Sequence, residues 1–270
     1  MLTQLEPLKR HQDVKLPRSE DAGTWLLKLE SFSKWRDCNV LDEDGHVFCC
    51  YGIPGAGKTV IRYCVKHFYY SGHISNIIIL YSSVVIDDLR SRCPDIGVAC
   101  LYADYKDQAN QILSHILGTF LCQLLTTAQE AIPDEIIEKL RDIQRQGGKV
   151  GHDDNLALLK IQVNQLKRAF ICIDAVDELE SKVRRQLLKT LKELGTNNTR
   201  LFLTGRSHIK TEVQECFQAT QAFTVIISAN ELDIETFVRQ CKPAVFYCTL
   251  ASIFLYYCNG GPISVPVNTY

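Results

Sequence analysis

One segment of the chain has the residue types and the spacing of a phosphate-binding loop. It matches the pattern G-x-x-x-x-G-K-[ST] in full, with the residues Gly52, Ile53, Pro54, Gly55, Ala56, Gly57, Lys58 and Thr59. The glycines let the backbone wrap around a phosphate chain with its N–H groups pointing inward. We therefore predict that Lys58 contacts the β- and γ-phosphates of a nucleotide and that the Thr59 hydroxyl binds Mg²⁺. The alternative is a glycine-rich turn with an exposed lysine.

A second group of candidate residues is acidic and follows an apolar run. Residues 170–173 are apolar and lead into Asp174, which is where a strand would deliver a Mg²⁺ ligand to the edge of a sheet. Asp177 and Glu178 follow shortly after, and one of these two carboxylates is predicted to orient or deprotonate an attacking water. The alternative is that both acids only begin the next helix, where negative side chains are favoured.

A third candidate is Arg206, which follows a short apolar run and Thr204. A strand at this position would bring both side chains to the same edge of the sheet. Arg206 is predicted to contact the γ-phosphate there and to report its presence. The alternative is an exposed loop arginine.

The rest of the sequence predicts the elements that would position these residues. Apolar residues repeat at helical spacing in three long segments, 112–125, 156–166 and 183–194. Short apolar runs predict strands at residues 46–51, 97–105, 169–174, 200–204 and 222–227. Because helices and strands alternate along the chain, the predicted class is α/β with a mostly parallel sheet.

The composition is that of a globular protein and argues against several functional classes. Among 270 residues, 46% are hydrophobic and 23% are charged, which excludes a disordered or collagen-like chain. Lys and Arg total 30 and Asp and Glu total 31, so there is no excess charge to attract nucleic acid or an anionic membrane. The 12 cysteines form no C-x-x-C pair, and the N-terminus has no signal-like apolar run. We expect a cytoplasmic protein with free thiols.

Together, these motifs resemble those of the NACHT ATPases of the STAND class. The resemblance rests on residues 52–59, 171–179 and 202–206, and it covers roughly residues 20–240. Three short flanking segments are similar to parts of the nephrocystin-3-like N-terminal domain of many fungal ankyrin-repeat proteins. These segments are residues 23–27, 102–108 and 229–234.

The resemblance implies both a fold and an activity. The implied fold is the three-layer P-loop NTPase sandwich, and the implied ligands are ATP or ADP with Mg²⁺. The implied activity is that of a nucleotide-controlled switch. The ADP-bound form is closed, whereas the ATP-bound form associates with further copies of the chain or with protein partners. Hydrolysis of the ATP is slow. Two other functions remain open. One is a binding-only scaffold, and the other is a small phosphotransferase, for which the sequence offers no arginine-rich lid. The sequence has no N-K-x-D motif, which disfavours a GTPase.

The chain departs from the family pattern after the phosphate loop. In relatives, the threonine of the phosphate loop is followed directly by a helix that resembles residues 82–90. In this chain, residues 61–81 separate the phosphate loop from that segment. We interpret 61–81 as an insertion from a translated intron or alternative splicing. Residues 60–68 nevertheless keep helical spacing, and 77–81 favour a strand.

The two ends of the chain are also unusual. Residues 1–20 are polar and predict a flexible lead-in before a domain at 21–240. Residues 243–270 carry no charged side chain, so 241–270 is treated as a separate apolar tail. The tail is interpreted as a read-through product, a docked core segment or a membrane-associated segment. The helical, winged-helix and repeat domains of relatives do not follow it, so we expect a truncated member of the family.

Overall fold

The computed structural model describes residues 5–15, 23–37, 46–52, 77–92, 96–127, 132–148, 150–194, 198–217 and 223–227. Five strands within these residues form one sheet in the order β2-β3-β4-β1-β5, and every neighbouring pair is parallel. The strands are β1 (Val47–Gly52), β2 (Ile96–Tyr102), β3 (Arg168–Asp174), β4 (Thr199–Arg206) and β5 (Phe223–Ile227). The predicted α/β class with a parallel sheet is confirmed, and the strands predicted at 46–51, 97–105, 169–174, 200–204 and 222–227 correspond to β1 to β5.

The described part of the chain also contains eight α-helices. They are α1 (Pro7–Lys15), α2 (Glu30–Asp37), α3 (Ile77–Arg90), α4 (Leu113–Thr127), α5 (Asp134–Arg145), α6 (His152–Gln165), α7 (Ser181–Leu194) and α8 (Lys210–Phe217). Short 3-10 turns occur at Thr24–Lys28, Tyr105–Asp107, Val176–Glu178 and Ser207–Ile209. Helices α4, α6 and α7 coincide with the three segments of predicted helical spacing. Every helix in the described ranges is too short or too polar to cross a lipid bilayer.

Helices cover both faces of the sheet because the strands carry apolar side chains in both directions. On one face, phenylalanines of three strands pack with the aromatic residues of α2. On the other face, aliphatic strand residues pack against α4, α6, α7 and α8. The result is the three-layer sandwich that the resemblance implies.

Two segments differ from the sequence predictions. The predicted flexible lead-in over 1–20 contains helix α1, whose His11 side chain is buried. Residues 77–81, which favour a strand by composition, instead begin helix α3. The physical reason is that Tyr81, Val85 and Leu89 recur every four residues and are all buried, so they form one continuous helical face. A short apolar run alone does not distinguish helix from strand. Residues 61–76 and 241–270 lie outside the described part of the chain.

Candidate functional site

The carboxyl ends of the parallel strands bring the described candidate residues to one edge of the sheet. Strand β1 ends at Gly52, the first residue of the predicted phosphate loop, and β3 ends at Asp174. Strand β4 lies between them, and its Arg206 is in register with Gly52. Residues 53–59 lie outside the described ranges, so the contacts of Lys58 and Thr59 remain predictions.

Asp174 is buried at the centre of this edge and is held by two hydroxyl groups. It is 2% exposed, and its Oδ1 accepts hydrogen bonds from Ser82 Oγ and, at 2.7 Å, from Thr204 Oγ1. The Thr204 oxygen accepts in turn from the Ala175 N–H at 3.0 Å, which leaves the hydroxyl proton directed at Asp174. Burial raises the pKa of Asp174 to about 6, although both hydroxyl bonds act to lower it. The carboxyl group is therefore fixed in orientation and poorly solvated.

Sequence reasoning did not identify Ser82 as part of this site. The residue lies on α3, beside Ser83, and both side chains are buried among apolar neighbours. Buried hydroxyls need hydrogen-bond partners. Two adjacent serines inside an otherwise apolar helical segment were therefore the available signal, although their partner on β3 could be known only from the tertiary structure.

A sharp turn after Asp174 keeps the other two acidic candidates at the same edge. Ala175 has φ 54° and ψ 47°, and it is the only residue other than glycine with positive φ in the described ranges. This left-handed conformation is unfavourable for alanine. It leads directly into the turn Val176–Glu178, which carries Asp177 and Glu178. Strain of this kind is concentrated at functional sites, so the turn supports a functional role for this edge.

Asp177 and Arg206, which the sequence assigned to separate roles, contact each other. Asp177 Oδ1 accepts from the Arg206 backbone N–H at 3.1 Å, and its Oδ2 lies 3.3 Å from the Arg206 Nε. A Cβ at Gly205 would lie 3.1 Å from Asp177 Oδ1 and 2.8 Å from Ile209 Cδ1, so glycine permits this close approach. The Asp177 side chain is 5% exposed and that of Arg206 is 49% exposed. Asp177 is thus occupied in holding Arg206, whose guanidinium remains accessible.

Glu178 has a different environment from Asp177. Its Oε2 accepts from the Tyr105 N–H at 3.4 Å, and its backbone carbonyl accepts from Gln108 Nε2 at 3.3 Å. Burial raises the pKa of Glu178, and the nearby carboxylates of Asp177 and Asp174 raise it further, while the bond from Tyr105 lowers it. A carboxylate with a raised pKa accepts a proton more readily, so the environment of Glu178 suits a general base.

The sequence of the chain matches one protein family over most of its length. The family is described as "Nephrocystin 3, N-terminal", and its model matches residues 21–81 and 78–206. The chain belongs to this family. The matched ranges of this nephrocystin 3 N-terminal family member include the predicted phosphate loop, Asp174, Asp177, Glu178 and Arg206. The two ranges overlap at 78–81, within the first turns of α3. No curated protein sequence is significantly similar to the chain.

Two solved structures resemble this family member at low sequence identity. The ORC1 protein of Aeropyrum pernix, determined in complex with DNA, gives a TM-score of 0.51 at 11% identity, and the match covers 90% of this chain but 59% of that one. The Walker-type ATPase paby2304 of Pyrococcus abyssi gives a TM-score of 0.48 at 12% identity, and the match covers 97% of this chain and 73% of that one. The chain therefore spans less than two thirds of the ORC1 protein. Family and architecture together show a P-loop NTPase fold.

Proposed function

We propose that this member of the nephrocystin 3 N-terminal family binds ATP with Mg²⁺ and hydrolyses it slowly. The observation that most supports the proposal is the buried Asp174 at the same sheet edge as Gly52, where the phosphate-loop motif begins. Because burial disfavours its charge, Asp174 is well suited to a divalent cation that would replace the lost solvation. Its oxygen donors are also of the type that Mg²⁺ prefers.

Under this proposal the residues have distinct roles. Thr59 and Asp174 hold the Mg²⁺, and Lys58 with the backbone of 52–57 holds the phosphates. Bound Mg²⁺ supplies positive charge against the phosphate oxygens. Ser82 and Thr204 keep the Asp174 carboxylate oriented. Their donated hydrogen bonds both end on Oδ1, and no described residue donates to Oδ2.

The two remaining candidates act on the γ-phosphate side of the site. Glu178 orients or deprotonates the attacking water, because its raised pKa favours proton uptake. Arg206 contacts the γ-phosphate with the exposed part of its guanidinium. Asp177 positions Arg206 through the two contacts described above and does not itself act as the base.

We further propose that nucleotide binding acts as a switch that controls association with protein partners or with further copies of the chain. The resemblance to STAND ATPases supports this part of the proposal. DNA is not included as a partner, although the ORC1 structure contains it, because the 30 basic and 31 acidic residues leave no excess positive charge.

The first experiment is a calorimetric titration of the full chain with ATP, ADP and GTP in the presence of Mg²⁺, combined with a phosphate-release assay. We expect ATP to bind and phosphate to be released slowly. Lys58→Ala should abolish binding and leave the circular dichroism spectrum unchanged. Failure of every nucleotide to bind the wild-type protein would overturn the proposal.

The second experiment separates the carboxylates. Glu178→Gln should bind ATP normally but release phosphate on the order of 10²-fold more slowly. Glu180→Gln is the matched control, because Glu180 is exposed and lies only two residues further along. Binding without any release would support the scaffold alternative, and release that requires an added acceptor would support a phosphotransferase.

A further inference from the structure

The loop between β2 and α4 is closed by one buried glutamine. Residues 105–110 of this 103–111 loop are exposed or half-buried, whereas Gln111 is only 4% exposed. Its Oε1 accepts from the Asp104 N–H at 3.2 Å, and its Nε2 donates to the Asp104 carbonyl at 3.1 Å. A buried amide needs partners for both its donor and its acceptor, and one backbone residue provides both. Gln111 therefore holds the two ends of the loop together.

The start of the same loop is bonded to the strand that carries the candidate Mg²⁺ ligand. The Ala103 N–H donates to the backbone carbonyl of Asp174 at 3.0 Å. Asp104 then begins the turn Tyr105–Asp107, and its side chain accepts from the Lys106 N–H at 2.9 Å. Side-chain bonds of this kind fix a turn locally. The backbone of Tyr105 thus has a defined position relative to the end of β3.

Two groups of the 103–111 loop bond to Glu178, the proposed general base. The Tyr105 N–H donates to Glu178 Oε2 at 3.4 Å, and Gln108 Nε2 donates to the Glu178 carbonyl at 3.3 Å. Both distances are long for hydrogen bonds, so each bond by itself is weak. The orientation of Glu178 therefore depends on how firmly the loop is held, and Gln111 is the buried residue that holds it.

The bond from Tyr105 also distinguishes the two carboxylate oxygens of Glu178. It ends on Oε2, and no group in the described ranges donates to Oε1. In the proposed hydrolysis, Oε1 takes one proton from water while the water oxygen bonds to the γ-phosphorus. The bond from that phosphorus to the bridging oxygen then breaks and releases ADP. A base must lie within hydrogen-bond reach of the proton that it takes up, so the orientation of the carboxylate affects the rate.

We propose that Gln111 is a positioning residue for this hydrolysis, which holds the Glu178 carboxylate through Asp104 and the Tyr105 N–H and leaves Oε1 free for the water. The inference rests on the proposed function, in which Glu178 is the base, and adds the loop that orients this base. Because Gln111 acts through Glu178, its loss should lower the rate of hydrolysis and leave the affinity for ATP unchanged.

The first test removes the N–H of Tyr105 and keeps the turn. Tyr105 is the first residue of a 3-10 turn, where φ is close to the value that a proline ring imposes. Asp104 before it is extended, with φ −139° and ψ 119°, which suits a residue that precedes proline. Tyr105→Ala is the reference variant, because it also loses the exposed ring but keeps the N–H. At saturating Mg-ATP, Tyr105→Pro should release phosphate about three- to tenfold more slowly than Tyr105→Ala, the effect of one net hydrogen bond.

The pH dependence of phosphate release gives a second measurement. Burial raises the pKa of Glu178, and the bond from Tyr105 lowers it. Three nearby carboxylates raise it further, those of Asp177, Asp104 and Asp174. Without the bond from Tyr105, the base is protonated more easily. On acidification, the rate of Tyr105→Pro should therefore fall at a higher pH than that of Tyr105→Ala, whereas a general loss of structure would not move this midpoint.

A double-mutant cycle tests whether Gln111 acts through the same bond. Gln111→Ala should slow release by a similar factor, and adding Tyr105→Pro should cause little further loss. In the Glu178→Gln background, neither change should slow release further, because the base is already absent. Gln144→Ala, at an exposed glutamine on α5, is the control and should leave the rate unchanged. Thermal melting checks each fold, and Gln111→Ala carries the test if proline at 105 destabilises the chain.

The outcomes separate this inference from the proposed function. If the wild-type protein hydrolyses ATP but Tyr105→Pro and Gln111→Ala keep the rate and pH profile of their controls, the inference is overturned and the proposed function stands. An equal loss in the wild-type and Glu178→Gln backgrounds would also overturn it, because the loop would then act independently of the base. If the wild-type protein releases no phosphate, the inference and the proposed hydrolysis are both overturned.

Discussion

Replacing Asp174 by asparagine should make the nucleotide-free protein more stable. Burial raises the pKa of this carboxyl from 3.8 to about 6, so its charged form is less favourable in the folded chain than in the unfolded chain. A shift of about two pKa units corresponds to about 3 kcal/mol. Asparagine has the same shape and keeps an oxygen that can accept from Ser82 and Thr204, but it carries no charge. Asp174→Asn should therefore raise the free energy of unfolding by up to about 3 kcal/mol at neutral pH.

The increase in the free energy of unfolding from Asp174→Asn should appear only as the pH rises. Below the unfolded pKa of 3.8, the carboxyl is protonated in both states, and the two proteins should differ little. Between about pH 4 and pH 6, the unfolded wild-type chain releases a proton that the folded chain keeps, so the wild-type protein loses stability relative to the variant. Above the folded pKa of about 6, the difference should become constant.

Urea denaturation without Mg²⁺ or nucleotide, repeated from about pH 4 to about pH 8, measures this difference. Asp142→Asn is the control, because the Asp142 side chain is 63% exposed and should give no pH-dependent gain. The same Asp174→Asn variant should lose Mg²⁺-dependent ATP binding, as expected where a functional group lowers stability. A variant that is less stable than the wild-type protein at neutral pH, or a difference that does not change with pH, would refute the reasoning.

Three further predictions follow from buried contacts. Gly205→Ala should lower the free energy of unfolding by about 1–3 kcal/mol in urea, because the added Cβ would lie 2.8 Å from Ile209 Cδ1 and 3.1 Å from Asp177 Oδ1 and both side chains would have to shift, whereas Gly148→Ala adds only ordinary contacts and should be nearly neutral. The wild-type protein should lose stability in thermal melts as the pH falls below 6.5, because the buried His11 ring resists the proton that the unfolded chain takes up, and His11→Gln should reduce this loss. Tyr81→Ala should cost about 3 kcal/mol in urea, because the ring is fully buried; an unchanged stability would show that this end of 61–81 is not part of the core.

The amino-acid sequence by itself determined the architecture and predicted the residues of the candidate site. The apolar runs around β1 and β3 predicted buried strands, and the spacing from Gly52 to Thr59 predicted a phosphate loop directly after the first of them. Both kinds of signal are local, since side-chain periodicity depends only on neighbouring residues. Asp174 was identifiable for the same reason, because it ends an apolar run.

Only the tertiary structure decided which of these side chains meet. Ser82 is 92 positions from Asp174, and His11 is 91 positions from Tyr102, so no local pattern relates them. The pairing of Asp177 with Arg206, on which the choice of Glu178 as the proposed base rests, likewise depends on β4 lying next to β3. Helix α3 replaced the strand expected at 77–81 because packing against the sheet decided between two conformations that the apolar run allowed equally. Burial set the pKa of Asp174, and burial is a property of the packed chain rather than of the residue.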